Sequence, residues 1–261
     1  GEVKWKFKNE FPFRGNISIK DNYLLANDYN NNLLAFLENK LIWKKKLGDS
    51  ENVIYTNIRP IIYDNKIINP AFNGLFHILN INDGKLIFSD YLQPNNKMAK
   101  IFRNNDIIAN PIISDDKIYI ISHSGTLASY DLNNLKLIWS IQIGGGNTPI
   151  VSGNSLFLID NSNILYAMNA KNGKIKWMKQ LDSNIEEGFY FKDIKKINFT
   201  GPFLIDNKLT LFSSNGYLKI IDPLNGKFLK SINFDLLGTE PIFIEDKLII
   251  LTSDGDLKVY K

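Results

Sequence analysis

The chain has 261 residues, of which 44% are hydrophobic, and it contains no cysteine. This length and composition suit one globular domain with an ample core. The absence of cysteine excludes disulfides, thiolate metal sites and cysteine nucleophiles. No apolar run reaches the ~18 residues that a transmembrane span needs. The net charge of +4, which we take to be spread along the chain, predicts a mild preference for acidic surfaces and no nucleic-acid binding.

The first seven residues predict one isolated β-strand, because they carry the Gly-x-x-x-Trp ending that closes later units. After them, a polar turn followed by an apolar strand recurs six times. The six copies lie at residues 21–25, 64–68, 115–119, 153–157, 206–210 and 245–249. A unit of about 40–50 residues that repeats in this way is typical of a solenoid or a propeller.

The third unit shows the predicted internal order most clearly. Residues 111–113 form a short buried strand, and Asp115-Asp116 supplies the turn into a second strand at 118–121. Asp and Asn tolerate the left-handed backbone that a tight hairpin needs. Two further strands follow at 126–130 and 136–139. Four such strands cannot bury both faces alone, so we expect each sheet to pack on its neighbours.

The fourth strand of most units ends on a large aromatic ring. The rings are Trp5, Trp43, Phe88, Trp139 and Trp177, and the fifth unit has Lys230 in their place. An aromatic side chain can bury on the order of 200 Å². We therefore expect these rings to lie between adjacent sheets, with a structural role.

The two ends of the chain predict how the array closes. The last unit stops after three strands, at Tyr260, and residues 1–7 are a fourth strand without the three that should precede it. Pairing residues 1–7 with 240–261 would remove exposed sheet edges. The sequence thus predicts one domain over 1–261, an all-β propeller of about six four-stranded antiparallel blades.

Three stretches break the regular spacing, and loops of this kind carry function on a rigid scaffold. They are residues 46–59, 91–110 and 186–200. In the second, Ile101 and Phe102 stand beside Arg103, a composition typical of a protein-interaction hot spot. The alternative is a structural loop that folds its apolar residues back onto the rim.

No catalytic, cofactor-binding or metal-binding residue is predicted. The two histidines, His77 and His123, lack a carboxylate or serine at the spacing of a triad. Residues 144–146 are three glycines, but they lack the Lys-Ser/Thr ending of a phosphate loop. A small-ligand site at the mouth of a central channel stays open as an alternative.

The repeat resembles the pyrroloquinoline-quinone-type propeller blade, and residues 167–177 carry that motif well. More narrowly, the chain is similar to the BamB-like outer-membrane protein assembly factors, in particular their alphaproteobacterial branch. The stretches that carry this likeness are 122–125, 143–149, 201–202, 213–218 and 239–241, of which Gly-Gly-Gly-Asn-Thr-Pro at 144–149 is the most specific. Members of that family usually have eight blades and a lipid-bearing N-terminal cysteine. With about six blades, this chain is expected to be either a fragment that lacks about two N-terminal blades or a reduced version of the family, with any lipid anchor outside it.

The resemblance implies a noncatalytic, cofactor-free and monomeric scaffold in the periplasm, at the inner face of the outer membrane. Its implied partners are the POTRA domains of a BamA-like subunit and unfolded outer-membrane proteins. The family's interblade contact loop aligns with residues 91–110. It implies Arg103 and Asp106 as polar anchors, with Ile101 and Phe102 as the apolar part of the contact.

The rival interpretation is an enzyme, since the same blade motif builds quinoprotein dehydrogenases. Those proteins are longer than this chain and need calcium and a catalytic aspartate. The acidic residues here lie mainly in turns, where backbone geometry explains them. We therefore do not expect an enzyme.

Overall fold

The structure is a computed structural model that describes residues 1–48, 58–71, 74–92, 106–123, 125–182, 197–244 and 246–260. Within these ranges the 23 regular elements are all β-strands, because short apolar runs alternate with turn residues throughout. The chain divides into two compact units, Gly1–Gly146 and Asn147–Lys261. Each unit contains three antiparallel sheets whose strands follow one another in chain order.

The first unit has three four-stranded sheets. The first sheet comprises β1 (Phe13–Lys20), β2 (Tyr23–Asp28), β3 (Asn32–Leu37) and β4 (Lys40–Lys46). The second comprises β5 (Ile61–Tyr63), β6 (Lys66–Pro70), β7 (Leu75–Asn80) and β8 (Leu86–Tyr91). The third comprises β9 (Ile112–Ser114), β10 (Lys117–Ile121), β11 (Leu127–Asp131) and β12 (Leu137–Ile141).

The second unit has two four-stranded sheets and one of three strands. The fourth sheet comprises β13 (Ile150–Ser152), β14 (Ser155–Ile159), β15 (Ile164–Asn169) and β16 (Ile175–Gln180). The fifth comprises β17 (Phe199–Ile205), β18 (Lys208–Ser213), β19 (Tyr217–Ile221) and β20 (Phe228–Asn233). The sixth comprises β21 (Ile242–Ile244), β22 (Lys247–Leu251) and β23 (Leu257–Tyr260).

The turns have the chemistry that the sequence predicts. In the hairpins that join first to second strands, left-handed residues include Asp21, Asp64, Asp115 and Asp206, with φ of 47° to 53°. The turns between third and fourth strands share a second pattern, in which a side-chain oxygen accepts the N–H two residues later. Its acceptors are Asn80, Asp131, Asn169 and Asp222.

The core lies between neighbouring sheets, as expected for sheets that cannot bury both faces alone. Between the first and second sheets the buried set is Leu25, Leu33, Ala35, Leu47, Ile67, Leu79 and Ile81. Between the second and third it includes Ile68, Phe76, Ile78, Ile118, Ile120 and Tyr130. Between the fourth and fifth it includes Phe157, Ile159, Leu165, Leu209, Leu211 and Ile221.

The aromatic rings at fourth-strand ends seal these junctions, which confirms the predicted placement of Trp43 and Trp177. The indole of Trp43 donates to the carbonyl of Ile81 at 2.8 Å, and that of Trp177 donates to the carbonyl of Pro223 at 3.0 Å. Each ring lies on a glycine of the next sheet's turn. A Cβ on Gly84 would lie 2.8 Å from the Trp43 ring, too close for any side chain.

The sheets confirm the predicted fold class, an all-β propeller of antiparallel blades with six blades in this chain. Residues 1–9 form no strand in the structure. The rings of Trp5 and Phe7 lie 5.7 and 4.9 Å from the ring of Phe36, on the first sheet. The closing of the three-stranded last sheet by residues 1–7 therefore stays a prediction.

Candidate partner-binding site

The predicted contact loop, 91–110, is held at both ends by buried residues. Before the loop, Leu92 is buried and its N–H donates to the carbonyl of Gly74 at 2.9 Å. After it, Ile107 lies in the core between the second and third sheets. Residues 93–105, and with them Ile101, Phe102 and Arg103, lie outside the described residues, as do most of the stretches 46–59 and 186–200.

Asp106, the fourth predicted site residue, lies at the buried end of the loop. It is 7% exposed, and its carbonyl accepts the N–H of His123 at 2.8 Å. A carboxylate with so little exposed surface faces the interior. The structure therefore places Asp106 where it can hold the loop end, and its direct contact with a partner stays a prediction.

Arg14, which the sequence analysis did not single out, interacts electrostatically with Asp106. Burial lowers the pKa of Arg14, whereas Asp28, Tyr29 and Asp106 act in the opposite direction. Its Nε donates to the carbonyl of Asp28 at 3.0 Å, and its Nη2 donates to Oδ1 of Asn31 at 3.0 Å. The guanidinium thus fixes the turn after β2 in the neighbourhood of the loop end.

Asp28 is the centre of that turn and is fully buried. Its carboxylate accepts the backbone N–H of Asn30 and Asn32, both at 2.9 Å, and the Asn9 side chain at 2.8 Å. Burial raises the pKa of Asp28, but hydrogen bonds from Asn32, Asn9 and Asn30 outweigh burial and leave the pKa lowered. The same turn is built in other sheets around Ser122, Asp160, Ser213 and Thr252, each accepting the N–H four residues later.

The described ranges also contain one buried histidine. His77 is buried within β7, and burial lowers its pKa while the backbone of Leu47 partly offsets this. The described residues hold no group of three or more His, Cys, Asp or Glu side chains placed to share a metal ion. No helix in that part of the chain is long and apolar enough to cross a membrane.

One cavity corresponds to the predicted alternative of a small-ligand site. It measures about 540 Å³ and is lined by the first strands of the three sheets in the first unit, with Ser18, Lys20, Arg59 and Tyr63. The Ser18 hydroxyl donates to the carbonyl of Pro60, and the Tyr63 hydroxyl donates to Asp116. These two hydroxyls are already bonded within the protein, so they are not available to select a small molecule.

Comparison with known proteins identifies the repeat. A family model described as outer membrane protein assembly factor BamB matches residues 1–179. The BamB of Aliivibrio fischeri is 32% identical over 188 residues, which is 71% of this chain and 46% of that protein. The chain spans about half the length of the curated relatives it matches.

Solved structures agree on the fold. The crystal structure of BamB from Moraxella catarrhalis matches with a TM-score of 0.76 at 14% identity, covering 93% of this chain and 70% of that one. A europium-containing methanol dehydrogenase matches with a TM-score of 0.65 at 13% identity, covering 90% of this chain and 54% of that enzyme. At such identities both likenesses are evidence of a shared fold alone.

Proposed function

The chain belongs to the outer membrane protein assembly factor BamB family, and on that premise we propose that it is a noncatalytic scaffold of the outer-membrane β-barrel assembly machinery. In this proposal it works in the periplasm, binds POTRA domains of a BamA-like subunit and aids the delivery of unfolded outer-membrane proteins. It needs no cofactor for this role.

The family match carries the proposal, because it covers residues 1–179 and so includes the whole 91–110 loop. The anchoring of that loop supports a binding role. Its described ends are fixed by Leu92 and Ile107, both buried. A loop whose ends are already fixed loses less conformational entropy when it binds than a free segment does.

Within the loop, we propose Arg103 as the polar contact and Ile101 and Phe102 as the apolar contact. Asp106 belongs to the same site, but we assign it a positioning role. It is buried and interacts electrostatically with Arg14, which suits it to hold the end of the loop in place. An arginine that binds a carboxylate in bidentate fashion at the centre of an interface contributes about 2 kcal/mol.

Calorimetric titration of the 261-residue chain with POTRA domains from the same organism tests this proposal. We expect binding, and we expect Arg103→Glu to weaken it by at least about 30-fold, the equivalent of about 2 kcal/mol. Lys100→Glu serves as the matched control, because it makes the same charge change in the same loop and should have a smaller effect.

Asp106→Asn separates the positioning role from direct contact. If Asp106 positions the loop, the substitution lowers the melting temperature of the chain along with its affinity for POTRA domains. If Asp106 contacts the partner directly, the affinity falls while the melting temperature stays unchanged. A folded chain that does not bind POTRA domains, or binds equally well with Arg103→Glu, would contradict the proposed contact.

The enzyme interpretation has its own test. The likeness to methanol dehydrogenase covers 54% of that enzyme at 13% identity, which is evidence of a shared fold alone. Titration of the protein with pyrroloquinoline quinone and calcium should leave the quinone spectrum unchanged. A spectrum characteristic of bound quinone would overturn the noncatalytic proposal.

A further inference from the structure

The net charge of this chain is confined to its first sheet and the segment that precedes it. Residues 1–48 contain nine Lys and Arg and five Asp and Glu, which gives +4, and the rest of the chain contains 22 of each sign. The expectation of a charge spread along the chain is therefore wrong. A protein whose net charge is carried by one of its sheets is oriented by an external field.

Seven of these lysines form what we call the basic edge. It consists of Lys4, Lys6, Lys8, Lys40, Lys44, Lys45 and Lys46, all exposed. The rings of Trp5 and Phe7 rest against Phe36 and hold the segment on the first sheet. Lys4, Lys6 and Lys8 alternate with these two rings in sequence, and all three are exposed.

The segment and β4 meet along this edge. The ammonium of Lys44 donates to Oδ1 of Asn9 at 3.0 Å and lies 5.9 Å from the ring centroid of Phe11. Lys44 also lies 3.7 Å from the carboxylate of Asp28, which is itself buried and occupied by backbone donors. The lysines of segment and strand are thus brought together by tertiary contacts, although they lie up to 42 residues apart in sequence.

Exposed apolar side chains lie among the lysines of the basic edge. Val3 is 68% exposed, Leu41 39% and Ile42 38%. Lysines mixed with accessible aliphatic groups are typical of surfaces that bind the headgroup region of a membrane. In addition, three consecutive lysines at 44–46 point to both sides of the strand, which suits a diffuse layer of anions better than one fixed acidic strand.

From these observations we propose that the basic edge is a docking surface for an anionic phospholipid bilayer. Negative headgroups attract clustered lysines near the surface, and the attraction decays within about 10 Å at 0.1 M salt. The confinement of the net charge to residues 1–48 would turn the first sheet toward the membrane. This inference is independent of the proposed POTRA contact, which involves the 91–110 loop.

Co-sedimentation with vesicles tests the proposal. We expect the 261-residue chain to bind mixed phosphatidylglycerol and phosphatidylcholine vesicles, to bind phosphatidylcholine vesicles much more weakly, and to dissociate as salt is raised. The triple variant Lys4→Glu, Lys6→Glu, Lys8→Glu should lower the vesicle partition coefficient at least about tenfold. Its circular dichroism and melting curve should match those of the native chain, because the three side chains are exposed.

The matched control is Lys171→Glu, Lys227→Glu, Lys230→Glu, which changes the net charge equally at exposed positions of the second unit. It should change the partition coefficient by less than about twofold. An equal loss in both triple variants, or no binding of the native chain to anionic vesicles, would overturn the proposal. Binding to polyglutamate without binding to vesicles would overturn it in favour of an acidic protein partner.

Discussion

The junction between the first and second sheets and that between the fifth and sixth are built differently. The first is filled by seven buried apolar residues and closed by the indole of Trp43. The other encloses a cavity of about 690 Å³ lined from both sheets. Here the sequence has Lys230 in the aromatic position, and Asp235 instead accepts from Lys258 at 2.8 Å and from Tyr260 at 2.6 Å. The comparison shows two ways of joining sheets: a buried apolar set with an indole at its edge, and the rings of Phe203 and Phe243, 5.0 Å apart, beside a half-buried carboxylate.

Removal of the Trp43 ring should have the largest effect. Trp43→Ala leaves a hole at the junction between the first and second sheets and should lower the free energy of unfolding by about 3 kcal/mol. Trp43→Phe keeps a ring but removes the donor to Ile81, so it should cost about 1 kcal/mol. Urea unfolding of the two variants checks both values, and a negligible effect of Trp43→Ala would contradict the role assigned to the ring.

Asp28 should come next, because its buried carboxylate holds the turn of the first sheet. Asp28→Asn should cost about 2.5 kcal/mol at pH 7, since it removes a charged acceptor of several N–H groups. The lowered pKa of Asp28 means that its contribution is present above its ordinary pKa of 3.8 and is lost as pH falls below that value. Urea unfolding between pH 7 and pH 3 should therefore show a shallower acid loss in the variant than in the native chain.

Gly84→Ala tests the close approach of turn and ring. Gly84 has a φ of 66°, and an added Cβ would collide with Trp43, so we expect a cost of about 2 kcal/mol. Gly153→Ala is the matched control, because Gly153 has a φ of 53° but open space around it. It should cost about 1 kcal/mol. Equal melting temperatures for the two variants would show that the contact with Trp43 does not matter.

His77 should also make the stability of the protein depend on pH, by less than Asp28 does. Burial lowers its pKa, so the fold favours the neutral ring, and the stability this provides is present above the ordinary value of 6.5. That stability is lost as pH falls through 6.5 toward the folded pKa. Thermal melts at pH 7 and pH 5 should therefore differ less for His77→Gln than for the native chain.

Tyr260→Phe should have the smallest effect. It removes the hydroxyl that donates to Asp235 at the junction between the fifth and sixth sheets, where the half-buried carboxylate keeps Lys258 as a partner. Its change in melting temperature should be smaller than that of Trp43→Phe. A larger change would mean that polar contacts stabilise this junction as strongly as the indole stabilises the junction between the first and second sheets.

The sequence predicted what depends on neighbouring residues. The strand order, the hairpins at Asp64 and Asp115 and the position of Trp43 all follow from local periodicity and turn chemistry. It did not predict that Arg14, Asp28 and Asp106 lie in one electrostatic neighbourhood, because no spacing rule links positions so far apart. The sequence did not predict the clustering of the lysines for the same reason, because the clustering arises from contacts between residues 1–9 and the first sheet.

One turn has the same backbone conformation as its counterparts in other sheets, although its residue differs from theirs. Leu135 stands where Gly84, Gly173 and Gly226 stand in other sheets, and it adopts the same left-handed backbone with a φ of 60°. Leucine rarely adopts this conformation, so the residue type alone does not predict the left-handed backbone at position 135. Leu135 also packs against the core between the second and third sheets, which stabilises the conformation.

The hydrogen bonds of the tryptophans also have a consequence for folding. The acceptor of Trp43 lies 38 residues further along the chain, and that of Trp177 lies 46 residues further. A sheet that leaves the ribosome therefore stays incomplete until the next one follows it, and each new sheet completes its predecessor. Assembly proceeds in steps of about one blade. At these junctions the chain closes loops of about one blade in length, which are shorter than the long-range closures that slow the folding of most β proteins.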